Sequence, residues 1–396
     1  MLRQPPGFWA VFVTDLIVRA AYQMAKSPIL PLLAASLGAN KIVIGTIVGV
    51  STLTGTVFKP LVGGLSDRWG RRVFFFVALC CFAGFPFLYQ FVTTPDELLW
   101  LRVLHGSATA IFGPVTLALV SEMSPHNRGT RLGVFEMARG AGHLIAPAIA
   151  GLMLANWKSP ELVFTVVGLV SCAAFVPALF VKFDDSRREA KERPTLWREL
   201  ASGVRHAASR AELWFVGALE FAIYGSIYSL KAFLPIFALD QGYGVWAAGL
   251  FFTLQEAAHM LVRPLGGRLG DRRGYVPTIA FGLIAIGAAL IALPQAPNAG
   301  TLLALAVVVG IGQGLTFPST VALIGNRIAS AHVGLGLGFY GALRNLGKVA
   351  GPILVGVLLQ VFAAKLVFPG LGAAALAVAA TLLVITLQSR GRVQAP

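Results

Sequence analysis

Runs of roughly twenty mostly apolar residues recur along the whole chain, separated by short polar breaks. Twelve are legible, at about 8–36, 42–66, 73–93, 97–121, 131–156, 160–182, 212–238, 244–268, 275–295, 299–325, 333–361 and 364–388. Each is long enough to cross a hydrocarbon core of about 30 Å as a helix. In lipid only helices and closed barrels satisfy their own backbone, and these runs are too long and too uniformly apolar for barrel strands. The pattern predicts an all-α membrane protein with twelve transmembrane helices. The first run reads as a span and not as a cleaved signal, because Asp15 and Arg19 interrupt it.

One long polar stretch, 183–211, separates six spans from six. The expected organisation is a six-helix bundle over 1–182, a cytoplasmic linker over 183–211 and a second bundle over 212–396. The linker reads as a solvated tether whose later part has the composition of an amphipathic surface helix.

The two halves repeat. Pro60, Leu61, Gly63, Leu65, Asp67, Arg68 and Gly70 recur 204 residues later as Pro264, Leu265, Gly267, Leu269, Asp271, Arg272 and Gly274. Gly106 and Pro114 recur at the same offset as Gly310 and Pro318. One residue further on, at 205, Asp15 matches Glu220 and Lys26 matches Lys231. At that offset Gly133, Arg139, Gly142, Pro147 and Gly151 also match Gly338, Arg344, Gly347, Pro352 and Gly356. A repeat of this length, on one offset, predicts two similar bundles related by an axis along the membrane normal.

Charge sharpens the topology. Only 12% of residues are charged, against 56% hydrophobic, so the chain lacks the polar surface that water demands. The net charge of +15 would point to nucleic acid in a soluble protein. Here Arg3, Arg68, Arg71, Arg72, Arg128, Arg131, the linker arginines, Arg268, Arg272, Arg273, Arg327, Arg390 and Arg392 all fall on one side. The other side carries Lys41, Lys158 and Lys365. That is the positive-inside bias, and it places both termini in the cytoplasm with no nucleic-acid role. Cys80, Cys81 and Cys172 lie in apolar spans and read as small buried hydrophobes.

Three motifs resemble those of the major facilitator superfamily, and the likeness covers nearly the whole chain. Gly63-x-Leu65-Ser66-Asp67-Arg68-x-Gly70-Arg71-Arg72 is similar to the family's loop 2–3 signature, with a weaker copy in loop 8–9. Arg102-x-x-His105-Gly106 resembles the fourth-helix motif. Gly142, Ala146, Pro147, Ala150 and Gly151 resemble the fifth-helix antiporter motif, with Ala146 and Ala150 where that motif has glycine. The resemblance implies a two-bundle transporter working by alternating access, with gating tied to Gly63, Asp67, Arg68, Gly70, Arg71, Arg102, Gly142, Pro147, Gly267, Asp271, Gly274 and Pro352. On physical grounds Gly63 and Gly70 permit close helix approach and a tight reversal, and Pro147 and Pro352 each remove a helix hydrogen bond.

Charges inside a bilayer are costly, so those present should face a cavity or a partner. Spans three, six, nine and twelve carry none away from their ends and read as lipid-facing supports. Asp15, Arg19, Tyr22 and Lys26 form one stripe on span one, and Glu136, Arg139, His143 and Pro147 one on span five. Span seven offers Glu220, Tyr224, Tyr228 and Lys231; span eight Glu256, His259 and Arg263; span eleven Tyr340, Arg344 and Lys348. Embedded bases outnumber embedded acids, which favours an anionic group on a solute. Arg139, Arg344, Lys348, Arg19, Tyr22, Tyr224, Tyr228 and His143 are the expected solute contacts. Asp15, then Glu220, Glu256, Glu136 and His259, are the expected proton carriers, with the Asp15–Arg19 and Glu136–Arg139 pairs also readable as simple neutralisation within a helix.

No Gly-x4-Gly-Lys-Ser/Thr loop is present, so an ion gradient is the expected drive. His105, His143 and His259 sit on three different spans without an HExxH or GxSxG pattern, which argues against an enzyme, and neither metal nor cofactor is called for. The expectation is a monomeric, proton-coupled exporter of a small amphipathic or anionic compound in a bacterial inner membrane. Organic-anion uptake or exchange, or lipid flipping, are the alternatives on the same fold.

Overall fold

Helices account for nearly all of the described backbone, and several boundaries have a local cause. The structure, a computed structural model, describes residues 7–123, 128–183, 211–327 and 333–393. The linker expected over 183–211 therefore lies almost wholly outside the described residues, as does the Asp67 side chain.

The chain opens with α1 (Phe8–Met24), a π-helical turn (Ala25–Ile29) and α2 (Leu30–Ser36). Ser27 breaks the run at φ −147°, ψ 128°. The ring of Pro28 crowds the residue before it out of the helical region and supplies no N–H of its own. Then come α3 (Lys41–Trp69), α4 (Arg71–Leu88), α5 (Pro95–Glu122), α6 (Arg128–Trp157), α7 (Pro160–Ala173) and the single turn α8 (Phe175–Ala178). The second half holds α9 (Ala211–Asp240), α10 (Val245–Arg273), α11 (Tyr275–Ala292), α12 (Ala299–Arg327), α13 (Val333–Val361) and α14 (Ala364–Val393). Among the described residues eleven helices are long and apolar enough to cross a membrane; the interrupted segment 8–36 is not one of them.

Side chains fix several starts. Asn40 caps α3 by accepting from the Val43 N–H at 2.9 Å. Thr94 and Glu97 close a reciprocal capping box on α5, with 3.3 Å and 3.2 Å bonds. The α3–α4 and α10–α11 reversals each turn on one residue, Gly70 (φ 93°) and Gly274 (φ 97°). A side chain at that φ is strained, so the repeated glycine answers a repeated backbone need.

Two compact units result, one of Met1–Arg193 with Lys231–Leu239 and Gly244–Gly249, the other of the remaining residues. In the first, α3 lies along α5 and α1 along α6, over a core that includes Phe8, Phe75, Phe82, Phe112 and Phe135. In the second, α11 is enclosed by α12 and α14.

The same glycine contact recurs in both units. A Cβ on Gly106 of α5 would sit 2.8 Å from the Ser51 Cα of α3, and one on Gly310 of α12 would meet the Gln255 carbonyl of α10. Ser51 and Gln255 are themselves 204 residues apart. The repeat in sequence is thus a repeat in packing.

Two readings need correction. Cys80 and Cys172 are exposed and not core residues, while Cys81 is half-buried and packs against the core of the first unit. The charge-free spans are not alike either: 17% of the α14 span is buried but 56% of the α11 span. Lack of charge permits contact with lipid without requiring it, since a charge-free helix also suits an enclosed place between neighbours.

Candidate functional site

In the first unit the buried charge gathers round Asp15, whose side chain is fully enclosed. Its Oδ2 lies 3.3 Å from Arg19 Nε, one turn along α1, and 3.4 Å from Arg139 Nε on α6. Its Oδ1 accepts from the Thr116 hydroxyl of α5 at 3.2 Å. Arg139 also donates to Glu136 at 2.7 Å, to Thr116 at 3.2 Å and to the Gly113 carbonyl at 3.5 Å. Its guanidinium stands 4.9 Å over the Phe135 ring.

Two glycines make room for this. A Cβ on Gly142 would come within 3.0 Å of the Ala20 nitrogen, so α1 and α6 meet closely there. A Cβ on Gly113 would lie 3.7 Å from Arg19 Nη2. The acid is thereby held between two guanidiniums and a hydroxyl, a closed arrangement in which the charge is balanced on the spot.

A second buried cation in this unit has hydroxyls around it in place of a carboxylate. Arg102 of α5, fully buried, donates to Ser51 at 2.9 Å, Tyr89 at 3.3 Å and Tyr22 at 3.4 Å. The Tyr89 hydroxyl also meets His105 Nδ1 at 3.1 Å. Tyr22, expected beside the solute, is thus engaged with Arg102, which ties α5 to α1, α3 and the turn after α4.

The second unit repeats the parts of the Asp15 cluster with a different outcome. Glu220 of α9 is fully buried and accepts from Thr320 of α12 at 2.7 Å, while the Tyr340 hydroxyl of α13 meets Thr320 at 3.2 Å. Glu220 Oε2 and Arg344 Nε have no hydrogen-bond partner among the described residues. Arg344 rests among rings, 5.4 Å from the centre of Tyr340, 5.5 Å from Tyr224 and 6.0 Å from Phe317. Lys348 lies 4.8 Å over Tyr224 and 5.4 Å over Tyr228. Phe317 also carries Arg263 at 4.3 Å and meets His259 edge-on. His259 Nδ1 is 3.3 Å from Glu256.

The remaining expected residues divide clearly. His143 donates from Nδ1 to the Arg139 carbonyl at 2.8 Å, a bond within its own helix. Arg71 pairs with Glu122 at the end of α5, while Arg68 is exposed. Asp271 accepts from the Tyr275 hydroxyl at 2.8 Å. A Cβ on Gly63 would meet nothing within 4 Å, and one on Gly267 only Pro318 at 3.9 Å, so neither holds helices close. That part falls to Gly266, where a Cβ would meet the Gly314 carbonyl and Leu315. The helices α6 and α13 run through Pro147 and Pro352 without a break.

Sequence reasoning missed Thr116, Thr320, Phe135 and Phe317. Each looks like an ordinary span residue, and the repeat offset was the signal that singles them out. Thr116 and Thr320 are 204 apart, Phe135 and Tyr340 are 205 apart, and Gly113 stands where the second half has Phe317. Among the described residues no group of three or more His, Cys, Asp or Glu gathers as a metal site.

The sequence profile of the Major Facilitator Superfamily matches residues 15–296 and 221–395. An MFS-type transporter of Methanocaldococcus jannaschii is 24% identical over 343 residues, 85% of this chain and 86% of that one. The multi-drug resistance efflux pump PmrA of Streptococcus pneumoniae is 25% identical over 337 residues, 82% of each chain. The crystal structure of the nucleoside transporter NupG superposes with a TM-score of 0.80 at 12% identity, covering 96% of this chain and 98% of that one.

Proposed function

The chain belongs to the Major Facilitator Superfamily and is a multi-pass membrane transporter of small solutes, and on that premise we propose that it exports a small amphipathic or anionic organic compound in exchange for protons. The observation that carries the coupling is Asp15, wholly buried yet held by Arg19, Arg139 and Thr116 from three helices. In that setting the guanidiniums balance the carboxylate's charge on the spot. Displacing them leaves an uncompensated charge in a poorly solvated site, and protonation relieves it. Proton uptake at Asp15 is in this way linked to any rearrangement that draws Arg139 or Arg19 off it. Glu220, the repeat partner, is the second carrier.

Export is favoured by the similarity to a pump named for multi-drug efflux. The basic side chains Arg344 and Lys348 favour anionic or amphipathic solutes. The one-sided distribution of arginine supports a bacterial inner membrane with both termini inside, twelve spans including 8–36, and bundles over 1–182 and 212–396. The working unit in this reading is the monomer.

The test is proton flux in liposomes holding an imposed pH gradient, with an internal dye and a panel of anionic, zwitterionic and cationic amphiphiles. Wild type should release protons on addition of a solute, and Asp15→Asn should not while keeping its fold. Unchanged coupling in that variant rules Asp15 out. Solute-for-solute exchange without proton movement would favour anion exchange.

A further inference from the structure

We infer that the solute is a planar aromatic anion, bound in the second unit with its carboxylate or like group on Arg344 and its ring against Tyr224 and Phe317; this deepens the transport reading above and rests on it. The two repeat-related arginines differ in what they have left to offer. Arg139 is already engaged, with Asp15, Glu136, Thr116 and the Gly113 carbonyl all within hydrogen-bond or ion-pair distance. Arg344 makes no ion pair with a carboxylate among the described residues; the Nε of each arginine lacks a hydrogen-bond partner, so the ion pairs are what separate the two.

What surrounds Arg344 is aromatic. A ring attracts a guanidinium through its charge and forms no ion pair with the N–H groups. Contacts with Tyr224, Tyr340 and Phe317 at 5.4–6.0 Å therefore hold the charge with no carboxylate paired to it, and the forked donors of a guanidinium match a carboxylate in geometry. Tyr224, Tyr228 and Phe317 are only partly buried, so ring surface remains for an aromatic ligand to pack on. Lys348 over Tyr224 and Arg263 over Phe317 add positive charge to the same patch, so with Arg344 three bases stand against the two acids Glu220 and Glu256 that also face Tyr224, and the cationic probe below reads which sign prevails. A neutral aromatic would fill the space but leave Arg344 without its partner, and an aliphatic anion would leave the rings uncovered.

Binding to the purified full chain in detergent, measured by calorimetry with no gradient, tests this. The probes are naphthalene-2-carboxylate, cyclohexanecarboxylate, naphthalene-2-methanol and a naphthylmethyl trimethylammonium. Naphthalene-2-carboxylate should bind at least about tenfold tighter than each of the others. Arg344→Gln should weaken it about tenfold or more, and Phe317→Leu should weaken it several-fold while leaving cyclohexanecarboxylate unchanged. Melting temperature monitors the fold, and Phe317→Leu carries the test if Arg344→Gln does not fold. Equal binding of the two carboxylates, tighter binding of the cation, no binding of any probe, or indifference to both substitutions would overturn the inference. Because no gradient is present, loss of proton coupling in liposomes leaves this readout untouched. Proton-coupled export without the aromatic-anion preference would sink this inference alone.

Discussion

The Asp15 and Glu220 clusters are built from the same four parts, an acid, a threonine, an arginine and a ring one turn before that arginine. In the first unit all four parts close on one another; in the second the acid, threonine and tyrosine are linked through Thr320 and the arginine stands apart from the acid. The difference traces to three positions, one of them Glu136, which pairs with Arg139 and has Gly341 as its counterpart before Arg344. Where the first half has Arg19, the second has Tyr224, and where the first has Gly113, the second has Phe317. Gly113 leaves its carbonyl open to Arg139 and space for Arg19, so two guanidiniums converge on Asp15. Phe317 fills the corresponding space with a ring, and Tyr224 replaces the second cation with another. Arg344 then sits on aromatic faces and Glu220 keeps a carboxylate oxygen without a partner. On the function proposed above, a duplicated frame serves two tasks by changing what fills it, one holding a proton-linked charge and the other meeting a ligand.

The largest effect that could break this contrast is on stability. Arg139→Gln leaves the buried Asp15 with one guanidinium in place of two, and breaking a buried pair by removing one partner costs about 3–5 kcal/mol. Arg19 remains, so the lower end of that range is expected. Arg344→Gln removes contacts with rings but no carboxylate pair, and about 1 kcal/mol is expected. Thermal melting of the two variants side by side in one detergent decides it. Equal losses would mean that Arg344 is held as firmly by its neighbours as Arg139 is by Asp15 and Glu136.

Much of the frame was legible in the sequence because lipid makes simple demands. The spans announce themselves by length and apolarity, and the repeat by paired motifs such as Asp67 with Asp271. Gly70 and Gly274 were readable as turns because only glycine meets that backbone need. The acidic and basic stripes were readable as well, since a buried charge is conspicuous. What each charge touches was not. Arg139 was expected to flank a solute together with Arg344, yet its nearest partners are Asp15 and Glu136, set by how closely Gly142 lets α1 and α6 approach. Tyr22 lay on the solute stripe but meets Arg102, four helices on in sequence. Thr116 and Phe317 carry no charge and escape any search for polar residues in apolar runs. Gly63 drew attention through its motif, while the close approach belongs to Gly266, which stands opposite Val62 in the repeat.

If the frame is shared while its filling differs, substitutions in the frame should cost the same in both units. Gly106→Ala forces a Cβ within 2.8 Å of the Ser51 backbone, and Gly310→Ala forces one onto the Gln255 carbonyl. Overpacking of this kind costs about 1–3 kcal/mol, since α3 and α5, or α10 and α12, must separate. Closely matched drops in melting temperature are expected. A large loss for one and none for the other would mean that the helix pairs are not equivalent.

The smallest effect is the sharpest, because nature has already made half of the comparison. Tyr340 occupies the place of Phe135, and each ring lies under its arginine, at 5.4 Å and 4.9 Å. Tyr340→Phe therefore gives the second unit the first unit's residue and deletes one hydroxyl. That hydroxyl meets Thr320 Oγ1 at 3.2 Å, but Thr320 still has Glu220 at 2.7 Å and the Phe317 carbonyl at 3.0 Å to donate to. No buried donor is stranded, but the hydroxyl also supports the buried Glu220, so a loss of about 1 kcal/mol is expected, with the ring left beneath Arg344. Binding of an aromatic carboxylate should then stay within about twofold of wild type, since neither the guanidinium nor the ring face has changed. A much larger drop in binding would assign the anion to the tyrosine hydroxyl and not to Arg344, and the difference between the two units would then lie in that one oxygen atom.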